Sequence, residues 1–146
     1  MPSVAEFLAA EHRQCDDEFA AAEQAAYAAD LTACRLRFQQ FQTAMECHFH
    51  KEEDALFPAF ERATGNTMGP TRVMRLEHQQ IRDALAEMSS ALNISDLEEF
   101  LGQAETLLIL TQQHNIKEEQ ILYPMCDDIL GAAAEAMIQA MQDLPA

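Results

Sequence analysis

Apolar side chains recur along this chain at steps of three and four residues, the spacing of a single helix face. Ser3 and Glu6 have the form of a capping box, and after them Val4, Leu8, His12, Cys15, Phe19, Ala22 and Ala26 share one stripe. The spacing predicts a first helix over residues 4–28. The pattern restarts near Asp30 and Leu31 and runs through Cys34, Phe38, Phe41, Met45, His48, Glu52 and Leu56, with a bend expected at Pro58 and an end at Thr64-Gly65-Asn66. Residues 64–70 carry the one strong loop signal, and Pro70 suits the first position of a third helix. That helix shows Met74, His78, Ile81, Leu85, Met88 and Leu92 on one face. Ser95 with Glu98 reads as a second capping box, opening a fourth helix that presents Leu97, Leu101, Ala104, Leu108, Thr111, His114, Glu118 and Ile121 up to Pro124. An Ala- and Met-rich stretch over residues 127–141 predicts a short fifth helix. Long helices with short connections give an all-α fold, an up-down-up-down four-helix bundle with the short fifth helix packed on it.

Composition narrows this picture. The 146 residues fit one domain with a core of its own, and Gly 4 and Pro 5 are too few for the turns of a sandwich or barrel. A formal charge of −16 argues against nucleic acid or an anionic membrane as partner. No run approaches membrane-spanning length, and the amino terminus lacks a basic segment ahead of an apolar one, so the expected location is cytoplasmic. Cys15, Cys34, Cys47 and Cys126 show no framework spacing and are expected as reduced thiols.

The chemistry lies in a repeat. Glu11-His12 returns as Glu77-His78, and His48-x-x-x-Glu52-Glu53-x-x-Leu56-Phe57-Pro58 returns as His114-x-x-x-Glu118-Glu119-x-x-Leu122-Tyr123-Pro124, each 66 residues on. The chain is therefore read as two helical hairpins on one plan, residues 4–63 and 70–125. At 100° and 1.5 Å per residue, His48 and Glu52 lie on one face about 6 Å apart along the axis, as do His114 and Glu118. His12 and His78 fall within the stripes of their own helices. Six polar groups thus face one interior, where an isolated carboxylate would cost several kcal/mol or change its protonation state. Two carboxylate-bridged metal ions would compensate them. Imidazole with carboxylate suits iron or manganese ahead of calcium or a closed structural zinc site.

These features resemble the hemerythrin-like, or HHE cation-binding, proteins over about residues 4–125. The resemblance implies a non-haem di-iron centre, with manganese or zinc as substitutes. His12 and His48 would hold one iron, His78 and His114 the other, and Glu52 and Glu118 would bridge them. It further implies binding or sensing of dioxygen or a related diatomic or peroxide ligand. The alternatives are a di-iron oxidase or peroxidase, a nitric-oxide or iron–sulfur stress protein, and an iron store or sensor. A redox or signalling partner would be a separate protein. Oxygen-carrying hemerythrins have a second histidine one turn away on the third helix, where this chain has Met74 and Arg82. They also take a carboxylate five residues after the fourth-helix histidine, so Glu119 stands beside Glu118 as an alternative ligand.

The remaining candidates have outer roles. His50 is rotated about 200° from His48 and is expected in solvent, with support of the metal as the alternative. Glu53 and Glu119 sit at the stripe edge, with support of the metal or service as an extra or substitute ligand the alternative, while Glu11 and Glu77 either orient an imidazole or pair with a base. Cys15, one turn beyond His12, reads as a small hydrophobe, with ligand or redox duty the alternative. Tyr123 aligns with Phe57, which predicts packing.

Overall fold

The computed structural model describes residues 2–145. Its elements in chain order are α1 (Val4–Tyr27), α2 (Leu31–Lys51), a π-turn (Glu52–Leu56), α3 (Phe57–Thr64), α4 (Pro70–Asn93), α5 (Leu97–Lys117), a second π-turn (Glu118–Leu122), α6 (Tyr123–Leu130), a 3₁₀ turn (Gly131–Ala133) and α7 (Ala134–Gln142). α1 packs along α2 and α4 along α5, and the two hairpins meet through α1 with α5 and α2 with α4. Four helical rods result: α1, α2 continued by α3, α4, and α5 continued by α6. This is the expected antiparallel bundle. No helix among the described residues is long and apolar enough to cross a membrane.

The Ser3 capping box forms as expected, with the Glu6 N–H donating to the Ser3 hydroxyl at 3.0 Å. The expected Ser95 box does not. Ser95 lies in the left-handed region at φ 59, and Asp96 is the cap, accepting from the Glu99 N–H at 3.0 Å. The first hairpin does the same: Ala29 has φ 56 and Asp30 caps α2 through the Ala33 N–H. An aspartate directly ahead of the helix satisfies an orphan N–H while the left-handed residue reverses the chain.

Pro124 does not end its rod, contrary to the sequence reading, and Pro58 likewise sits inside a continuous one. Each follows a π-turn, in which the Phe57 N–H bonds to the Glu52 carbonyl and the Tyr123 N–H to the Glu118 carbonyl. A proline one residue later lacks the N–H that would continue this register, so the strain of a mid-helix proline is relieved. Arg75 Nη2 donates to the Glu53 carbonyl left without that partner, at 3.4 Å. The fourth rod therefore runs on to Leu130, and Gly131, at φ 51, breaks it. The expected fifth helix is shorter than residues 127–141: only α7 stands apart, burying Ile138 and Met141.

Two apolar clusters fill the bundle. One contains Phe19, Phe38, Phe41, Phe49, Leu85, Met88 and Phe100; the other contains Leu8, Leu56, Phe57, Met74, Leu122, Tyr123 and Met141. Along every rod the buried histidines and glutamates fall between members of the two clusters, so their layer is sealed from both ends. All four cysteines are free; Cys15, Cys34 and Cys126 are buried.

Candidate metal centre

Every rod contributes to this layer: α1 gives His12, α2 His48, the first π-turn Glu52, α4 His78, α5 His114 and the second π-turn Glu118. Glu52, His78 and Glu118 are fully buried, and the other three are nearly so. The π-turns decide which groups point inward. One extra residue per turn brings Glu52, Leu56 and Phe57 inside together, and likewise Glu118, Leu122 and Tyr123.

Ligand atoms gather in two overlapping groups, Glu52, His78, His114 and Glu118 in one and His12, His48 and Glu118 in the other, the atoms within each group lying within 4.8 Å of one another. His12 Nε2 lies 3.1 Å from His48 Nε2. Glu118 Oε1 stands 3.1 Å from both His12 Nε2 and His114 Nε2, and Glu52 Oε1 stands 3.3 Å from His48 Nε2 and 3.2 Å from His78 Nε2. Each carboxylate therefore reaches across both histidine pairs.

Behind each imidazole sits a second carboxylate. The Nδ1 atoms of His12, His48, His78 and His114 lie 2.8, 2.9, 2.7 and 2.8 Å from Glu119, Glu11, Glu53 and Glu77 respectively. Lys51 donates to Glu11 and Lys117 to Glu77. Arg82 grips Glu53 with two bonds of 2.9 and 3.0 Å and also reaches Glu46. With Nδ1 donating outward, each Nε2 faces inward, where loss of its proton presents a lone pair to a cation. Glu11 and Glu77 thus do both things the sequence reading offered, orienting an imidazole and pairing with a base. Glu53 and Glu119 stand on the outer nitrogens, away from the inner cluster, and Glu118 is the fourth-rod carboxylate that points inside.

His50 is half exposed and pairs with Asp54 at 3.1 Å, as its rotation predicts. Cys15 joins no ligand group, and burial pushes its thiol up to about 12, which leaves it inert. Tyr123 corrects the sequence reading. Its ring packs at 5.7 Å from His12, but its hydroxyl lies 2.7 Å from Glu52 Oε2 and 2.9 Å from Glu118 Oε1, its one proton shared between them inside the polar layer. Alignment with Phe57 concealed it, since only the oxygen differs. Lys51 and Lys117 were also missed, although they repeat at the 66-residue spacing.

The electrostatics call for a cation. Burial opposes charge on His48 and His114, yet the surrounding carboxylates push them up to about 10 and about 9, and His78 is raised for the same reason. Burial likewise opposes ionisation of Glu52, but the His48 and His78 imidazoles hold its carboxyl well below the usual range. Glu52 Oε1, His78 Nε2, His114 Nε2 and Glu118 Oε2 are buried and close to one another but make no aligned hydrogen bond. Four buried polar atoms without an aligned partner, converging on one space in a set of imidazole nitrogens and carboxylates, fit divalent transition metals, which would replace the protons held there. The sequence model of the hemerythrin HHE cation-binding domain family matches residues 3–126. No curated protein and no solved structure gives a significant match to the chain. With a metal-fitting layer inside the matched bundle, this chain belongs to the hemerythrin HHE cation-binding domain family.

Proposed function

We propose that the protein holds two iron ions, one on His12 and His48 and one on His78 and His114, bridged by Glu52 and Glu118, and that it binds or senses dioxygen or a related small oxidant. The observation that supports this reading is the convergence of buried, unpartnered imidazole nitrogens and carboxylate oxygens beside two histidine pairs. Held by these residues, ferrous iron would supply Lewis acidity and reducing electrons for a small oxidant. The chain's own residues do the rest. Glu11, Glu53, Glu77 and Glu119 fix the imidazole orientations, Tyr123 shares its one hydroxyl proton between the inner carboxylates, and the two apolar clusters limit water.

Anaerobic iron loading followed by metal analysis tests the assignment. Two irons per chain are expected, with His48→Ala and His114→Ala well below that and His50→Ala at the full value; unchanged stoichiometry in the first two sinks it. A visible band that rises on air exposure and disappears on deoxygenation supports reversible binding. A band that does not reverse favours an oxidase or peroxidase instead.

A further inference from the structure

The repeat lets the two sides of the centre be compared position by position, and they are unlike. Beside His78 the space is filled: the Phe49 ring stacks on its imidazole with centroids 4.0 Å apart, and the Arg82 guanidinium lies 5.0 Å over that ring. The residues 66 positions away, in the corresponding places beside His12, are Asn115 and Asp16. An aromatic plug is replaced by an amide, and its covering cation by a carboxylate.

A cavity lies where the plug is missing. It adjoins His12 and His48, is walled by Phe19, Phe41, Met45, Phe49, Thr111 and Asn115, and leaves about 20 Å³ for the centre of a water-sized molecule. That is room for one small molecule. Asp16, Phe19 and Asn115 also line a surface cleft of about 600 Å³ between α1 and α5, which Glu119 borders. Those three side chains separate the cleft from the cavity. Glu119 is set apart as well: the carboxylates behind the other three histidines each contact a cation, whereas Glu119 contacts none among the described residues.

Resting on the di-iron reading above, we propose an access route: an uncharged small molecule reaches the metal position of His12 and His48 through the α1–α5 cleft, with Asn115 as its gate. Asp16 and Glu119 at the cleft repel anions, so the route selects neutral ligands of two or three atoms.

Stopped-flow mixing of the di-ferrous protein with nitric oxide, a neutral probe, and with azide, an anionic one, tests the route. Asn115→Phe restores the ring found at the equivalent position and is expected to slow nitric oxide association by about tenfold with two irons retained. Asn115→Ala removes atoms, so it folds whether or not the larger ring is tolerated, and it should speed association severalfold. Asp16→Asn should raise the azide rate relative to the nitric oxide rate. Wild-type rates in both Asn115 variants at full iron content overturn the route, and an unchanged rate ratio in Asp16→Asn overturns the selection against anions. A wild-type chain that takes up no iron, or takes up iron and binds no nitric oxide, overturns the di-iron reading instead; metal content and spectrum show this before any variant is compared.

Discussion

Tyr123 and Phe57 occupy equivalent places in the two halves and differ by one oxygen atom. That oxygen is fully buried and touches both inner carboxylates, a hydrogen bond to charged groups with no water to replace it. Removing such a donor costs about 2 kcal/mol, and Phe57 shows that the bare ring fits this geometry. Tyr123→Phe should therefore lower the melting temperature of the metal-free protein by about 5 °C. Equal melting temperatures would mean the hydroxyl contributes packing alone. The inner histidines and glutamates were legible in the sequence because their spacing follows the helix period. Tyr123 was not, because a residue's type and register do not say whether its polar tip meets a partner. The same limit applies to Glu118 and Glu119: adjacent in sequence, they are separated by the π-turn register, which points one inward and leaves the other at the surface behind His12.

At the scale of elements, the four rods and the loop at residues 64–70 follow from periodicity and turn chemistry, while the terminal details do not. Asp30 and Asp96 cap α2 and α5 because Ala29 and Ser95 adopt left-handed backbone, a choice made by the chain reversal between packed helices. Asp96→Ala should lower stability by about 1 kcal/mol. Ser95→Ala, at the expected cap, should lower it less, and equal losses in urea denaturation would reverse the assignment. Pro58 and Pro124 read as a bend and a stop because proline ends ordinary α-helix. The π-turns that accommodate them follow from packing, since they place Leu56 with Phe57, and Leu122 with Tyr123, in the second apolar cluster.

For the whole molecule, the buried centre links folding, protons and metal. In the metal-free protein His48 is held up to about 10 and His114 to about 9, against a value near 6.5 in the unfolded chain. The folded chain then keeps protons that the unfolded chain releases. This stabilisation is fully present below about pH 6.5 and is lost as pH rises through 9 and then 10. Metal binding takes the place of those protons, so affinity should strengthen with pH across the same window. The melting temperature of the metal-free protein should fall between about pH 6.5 and 10, and iron should abolish that fall. A metal-free curve that is flat or rises with pH would show that the imidazoles do not carry the charge. What the sequence determined by itself is periodic: an all-helical bundle, its doubling at 66 residues, and six polar groups on inward stripes, because helix geometry converts spacing directly into direction. Only the tertiary structure decided which neighbours those groups meet. It put a carboxylate behind every imidazole, a hydroxyl on the inner glutamates, and a plug beside His78 but a cavity beside His12, because such contacts join residues far apart in the chain whose spacing carries no period.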